Sequence, residues 1–142
     1  MKILIVEARF YEDIADELAK GAIQVLEDAG AQYERVSVPG AFEVPAVIRI
    51  AADSSEGYDG YVALGCVIRG ETSHYDYVCE ESARGLQDLA INDRLAIGYG
   101  ILTVENREQA WSRCSVDKHN KGAAVAEAAL RMIALKNKFG IK

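Results

Sequence analysis

His74 stands four residues beyond Gly70 in the segment Gly65-Cys66-Val67-Ile68-Arg69-Gly70-Glu71-Thr72-Ser73-His74, where an apolar run ends and a helical pattern begins. In the first turn of a helix, the positive end of the macrodipole opposes a protonated ring and leaves neutral imidazole to accept a proton and return it. That suits a proton shuttle; an ordinary surface histidine is the alternative. The segment also has the glycine spacing of a Walker A loop, but Glu71 occupies the lysine position, which argues against a nucleotide-hydrolysing P-loop. Gly70 still lets the backbone approach a ligand, and the N–H groups of the next helix start could face an anion. Equally, Gly70 could simply make the turn, with Ser73-x-x-Asp76 as a capping box.

Three other groups could contribute. In Pro39-Gly40-Ala41-Phe42-Glu43, Gly40 and Ala41 are too small to block a ligand, and Glu43 could accept hydrogen bonds from a polyol or serve only as a helix-start charge. Phe10 could stack on a planar ring or pack at a rim. Arg113, Lys118 and Lys121 form a basic cluster, and Arg113 could grip a phosphate through paired hydrogen bonds; a solvated helix start is the alternative.

The positions of these residues follow from the alternation of elements. Apolar runs of strand length recur at Ile3–Val6, Tyr33–Val38, Tyr61–Ile68 and Leu95–Leu102. Between the first two, Ile14, Leu18, Ala22, Val25 and Ala29 mark one face of a helix that stops at Gly30. Val78, Ser82, Leu86 and Leu89 repeat the pattern. A short helix follows Pro45, Asn106-x-x-Gln109 marks a capped helix start, and a long helix begins near Asn120. In that last helix Val125, Ala129, Met132 and Ile133 form one stripe and Ala126, Leu130 and Ala134 a second, a pattern that suits cover on two sides. Apolar strands joined by helices call for a parallel sheet, covered on both faces, with ligands beyond the strands' carboxyl ends.

The 142 residues suit one domain, 1–142, with 50% hydrophobic and 27% charged residues and two prolines. Sixteen Lys and Arg against 22 Asp and Glu give a net charge of −6, against general attraction to nucleic acid. Residues 1–112 carry nine basic and 20 acidic side chains, whereas 113–142 carry seven and two, so an anion would find positive charge near the C-terminus. Cys66, Cys79 and Cys114 are odd in number and lack CxxC spacing, which fits free thiols better than a disulfide framework or zinc site. The first apolar run is too short for a signal peptide or membrane span, and the expected location is the cytoplasm.

Taken together, Ala8-Arg9-Phe10, Val38–Pro45, Gly65–Tyr77, Gly100-Ile101-Leu102-Thr103 and Asn120-Lys121-Gly122 resemble, in order along the whole chain, the landmarks of the lumazine synthase family of riboflavin biosynthesis. Gly-Ala-Phe-Glu-Val-Pro and Val-Ile-Arg-Gly-Glu-Thr-x-His-Tyr-Asp are the most specific. The resemblance implies a three-layer α/β/α sandwich of flavodoxin-like kind around a four-stranded parallel sheet. The implied reaction joins 5-amino-6-(ribitylamino)pyrimidinedione to dihydroxybutanone phosphate, forming 6,7-dimethyl-8-ribityllumazine and releasing phosphate and water, with no metal or cofactor.

It further implies a role for each residue. Phe10 stacks on the pyrimidine, Gly40, Ala41 and Glu43 line the ribityl chain, and backbone groups of Val67 and Ile68 face the heterocycle, with Tyr99 near the ring. His74 moves protons. Glu71 and Thr72 offer backbone N–H groups to phosphate, while Arg113 and Lys121 complete the site from a neighbouring subunit of a homopentamer. Because the chain starts at its first strand, without the extra N-terminal segment of icosahedral members, a free pentamer or a decamer of two is expected. Tyr11, Tyr99 and Asp117 depart from the residues common at those places. The competing readings are a non-catalytic riboflavin-binding or assembly paralogue and a monomeric signalling module.

Overall fold

The computed structural model describes residues 1–142 and orders them as β1 (Lys2–Ala8), α1 (Glu12–Asp28), β2 (Gln32–Val38), a single 3-10 turn (Ala41–Glu43), α2 (Val44–Asp53), β3 (Gly60–Ile68), α3 (His74–Asn92), β4 (Ile97–Val104), α4 (Arg107–Cys114) and α5 (Lys121–Lys138). All strands pair in parallel, in the order β2-β1-β3-β4. β1 and β3 are central, and their near-continuous apolar runs are buried on both faces. β2, an edge strand, is Gln-Tyr-Glu-Arg-Val-Ser-Val and mostly exposed, so it alone departs from the expectation of continuously apolar strands.

Helices cover both faces. On one, Ile14, Leu18, Ala22 and Leu26 of α1, Ala110 and Cys114 of α4 and Val125, Ala129 and Ile133 of α5 pack against Ile3, Ile5, Val62 and Leu64. On the other, Val44 and Ile48 of α2 and Val78, Leu86 and Leu89 of α3 pack against Leu4, Val6, Tyr61 and Ala63. The result is the expected flavodoxin-like three-layer α/β/α sandwich. No helix is long and apolar enough to cross a membrane.

Gly30, at φ 68°, ends α1 in a left-handed turn, its N–H donating to Glu27 O at 2.9 Å and that of Ala31 to Leu26 O at 3.0 Å. Asn106 caps α4: its side chain accepts the Gln109 N–H at 2.9 Å, while the Gln109 side chain accepts the Glu105 N–H at 2.8 Å. The Ser73–Asp76 capping box, by contrast, does not form. Ser73 makes no side-chain cap, and the Asp76 carboxylate turns instead to Arg69 at 3.2 Å. β4 starts two residues later than its apolar pattern, because Arg94 adopts φ 56° and bends the chain there. In α5, Val125, Ala126, Ala129 and Ile133 form one buried face, whereas Met132 and Ala134 are exposed within this chain.

Candidate functional site and family

From β1 the chain crosses to β2 on one side, then returns past β1 to β3 on the other. Such a reversal in an open parallel sheet leaves a crevice at the carboxyl ends of the two diverging strands. A cavity of about 590 Å³ opens there. Phe10 and Tyr11 reach it from the loop after β1, Pro39 to Glu43 from the loop after β2, and Cys66, Val67 and Ile68 from the end of β3. Gly70 and Thr72 line it, as do His74, Tyr75 and Val78 of α3.

Strand register determines what the floor offers. β1 pairs with β3 only as far as Glu7 opposite Leu64, whereas β4 continues along β3 to Val104 opposite Ile68. On the β1-facing edge the backbone N–H and C=O of Ile68 therefore have no strand partner and face the cavity, suited to the edge of a planar heterocycle, whereas those of Val67, like the Arg69 N–H, are directed to β4. Cys66 adds an apolar patch. Burial pushes its thiol up to about 12, so it stays protonated and is no nucleophile.

The loop after β3 is built to meet an anion. The backbone N–H groups of Gly70, Glu71 and Thr72 donate to no group in the chain, and they precede the N-terminus of a 19-residue helix. The Thr72 hydroxyl accepts the His74 N–H at 3.3 Å. Arg69 holds the loop in place: its N–H donates to Val104 O at 3.0 Å, and its guanidinium bonds Glu105 at 2.9 Å and Asp76 at 3.2 Å while lying 4.2 Å from the Tyr75 ring centroid. His74 is thus fixed at the start of α3 beside those free N–H groups.

The loop after β1 is anchored differently. Glu7 is only 2% exposed, and its carboxylate accepts from Arg9 at 2.8 Å and from Arg35 at 2.7 and 2.9 Å. Two guanidiniums beside one buried carboxylate offset its desolvation. The Arg9 N–H donates to Val38 O at 3.2 Å, which ties the end of β1 to the end of β2. Phe10 projects past this anchor and is 73% exposed.

Of the residues singled out in the sequence, Phe10, Gly40, Ala41, Glu43, Val67, Ile68, Thr72 and His74 converge on one cavity, with Glu71 adjoining Thr72. Tyr99, Arg113 and Lys121 do not reach it. Tyr99 lies on the edge strand β4 beside α3, Arg113 donates to Gln109 O at 3.0 Å along α4, and Lys121 opens α5; all three are exposed. The second histidine is held elsewhere, its Nδ1 lying 2.8 Å from Ser112 O. Tyr11, Cys66, Tyr75 and Val78 line the cavity without having been singled out for it. For Tyr75 and Val78 the signal was available, since they lie one and four residues beyond His74 on a helix.

This geometry agrees with what the chain resembles. The family model for 6,7-dimethyl-8-ribityllumazine synthase matches residues 1–137. A protein of that name from Bartonella tribocorum is 60% identical over 138 residues, covering 97% of this chain and 91% of the relative. That from Agrobacterium fabrum is 56% identical over 142 residues, with 97% and 96% covered. One from Rhizobium meliloti, 6,7-dimethyl-8-ribityllumazine synthase 1, is 58% identical over 142 residues, with 97% and 93% covered. With the match running the length of the sandwich and through every loop of the cavity, the chain belongs to the 6,7-dimethyl-8-ribityllumazine synthase family.

Proposed function

We propose that the protein is a lumazine synthase that works as a homopentamer in the cytoplasm, with each site shared between adjacent subunits. It condenses 5-amino-6-(ribitylamino)pyrimidinedione with dihydroxybutanone phosphate. The observation that carries this reading is the convergence of Phe10, the open edge of β3, Gly70 and Thr72 with their free N–H groups, and His74 on one cavity, with the free N–H of Glu71 between those of Gly70 and Thr72.

The pyrimidine stacks on Phe10 with its edge against the Ile68 backbone, and the ribityl chain runs past Gly40 and Ala41 to Glu43. The phosphate lies at the N–H groups before α3. The substrate's primary amine attacks the ketone, and loss of water gives an imine. His74 removes and returns protons as the imine forms and as phosphate is eliminated; the enol left by that elimination tautomerises to a new ketone, and attack of the ribitylamino nitrogen on it, with loss of a second water, closes the ring. Because the amine is a competent nucleophile and phosphate a good leaving group, positioning supplies much of the acceleration. Tyr99, Arg113 and Lys121 point away from their own cavity and are free to complete that of a neighbour, Arg113 binding phosphate. The cysteines are all unpaired, in keeping with a reducing compartment.

The test is absorbance-monitored lumazine formation from the two purified substrates. His74→Ala is expected to lower kcat about 10²-fold while leaving measurable turnover. Arg113→Ala is expected chiefly to raise KM for the phosphate substrate, and unchanged KM values would remove it from the site. An assembled oligomer that binds the product but never turns over would instead be a binding paralogue.

A further inference from the structure

Phe10 and its neighbour Tyr11 are held very differently. Phe10 is 73% exposed, so little besides one contact fixes its plane. That contact is Tyr11, whose ring meets it edge to face, with centroids 4.9 Å apart and an interplanar angle of 74°. Tyr11 itself is firmly placed. It is the N-cap residue of α1, its carbonyl accepts the Ala15 N–H at 2.9 Å, and its ring packs against the core beneath. The guanidinium of Arg107 lies 5.7 Å from the centroid of the Tyr11 ring, and Arg107 is ion-paired to Asp13 in the first turn of the same helix.

We infer that Tyr11 is a positioning residue for heterocycle recognition: it presets the plane of Phe10, so that the stacking platform exists before the ligand arrives. This rests on the proposed stacking role of Phe10. An exposed phenylalanine free to rotate loses that freedom when a ring stacks on it, and this loss weakens binding. One already held by a neighbour's edge loses less. The effect should fall on the pyrimidine substrate and the product, which share the ring, and spare the phosphate substrate.

The test is a double-mutant cycle on the full-length assembled protein, titrating 6,7-dimethyl-8-ribityllumazine by its fluorescence, with both KM values measured alongside. Tyr11→Leu keeps bulk but removes the aromatic edge, and is expected to weaken product binding about threefold to tenfold. It should raise KM for the pyrimidine by a similar factor, with kcat and the other KM unchanged. Tyr11→Phe keeps the edge and should bind as the parent does. In the Phe10→Ala background, Tyr11→Leu should cost nothing further. Full additivity of the two substitutions would overturn the proposal while leaving Phe10 as the platform, because Tyr11 would then act without Phe10. Phe10→Ala with undiminished product affinity would remove both the platform and the proposal. Equal rises in both KM values on Tyr11→Leu would reduce Tyr11 to general support of the loop and also overturn it.

Discussion

Glycine does opposite work in two regions of this molecule. Where α1, α5 and β4 meet, it removes side chains so that backbones can touch: a Cβ on Gly122 would lie 2.0 Å from Leu18 O, and one on Gly98 would lie 2.2 Å from Val125 O. At the cavity rim a Cβ on Gly70 would meet nothing within 4 Å, and one on Gly40 only the Glu43 carboxylate at 3.5 Å. Neither Gly70 nor Gly40 has a positive φ. The first region is closed by the fold. The second is left vacant by it, and vacancy at a strand end is the room a ligand needs.

The comparison is tested most severely in the closed region. Gly122→Ala forces a methyl group into a carbonyl oxygen of α1 and is expected to cost on the order of 3 kcal/mol or more, read as a lowered urea midpoint at fixed protein concentration. A loss below about 1 kcal/mol would mean that the helices can part freely, and the contrast would collapse.

Cys66 belongs to both regions, being part of the core under α1 and α5 and also of the cavity floor. Its thiol, raised by burial from 9.0 to about 12, keeps its proton after the unfolded chain has begun to lose its own. The stability from this burial is complete below pH ~9 and is lost as the pH rises from there through about 12. Cys66→Ala should flatten the decline in urea midpoint over that range by up to one proton's slope. An unaltered decline would assign the floor to the open region.

At the rim, Gly70→Ala should leave the unfolding midpoint within about 0.5 kcal/mol of the parent and yet raise KM for the phosphate substrate about tenfold, by crowding the free N–H groups. Loss of stability without loss of affinity would reverse the assignment. The smallest effect is expected at Asp13, paired with Arg107 where both side chains are more than half exposed. The guanidinium holds its carboxyl below the usual range, so the contribution is present above that range and fades on acidification. Asp13→Asn should change stability by less than about 0.5 kcal/mol at neutral pH.

What the sequence made legible was local or periodic. The spacing of Ile14, Leu18 and Ala22 and the stop at Gly30 announced α1, and the apolar runs of β1 and β3 located the strand ends that hold the cavity. Ser73-x-x-Asp76 misled because its acid has a better partner: Arg69 reaches it across the loop while also bonding Glu105 of the next strand end, a choice no short window displays. Tyr11 carried no periodic signal, since its importance lies in which neighbour its ring touches. Arg113 and Lys121 were legible as a basic cluster, but their distance from their own cavity depends on which sheet face α4 and α5 cover.

The strand order also dictates a timetable for synthesis. Lys2 pairs with Gln32, so β1, α1 and β2 can assemble as soon as the first quarter of the chain has left the ribosome. The other edge of β1 waits for Gly60 to meet Ile3, and its second face waits for Val44, Ile48 and Val78. Until then Leu4 and Val6 lie bare beside an unpaired strand edge, an invitation to sticky encounters with other nascent chains. A ribosome stalled before α2 would release a fragment with half a sheet, one greasy face and no cavity. The interval between β2 and β3 is when the nascent chain carries its open edge and bare face together.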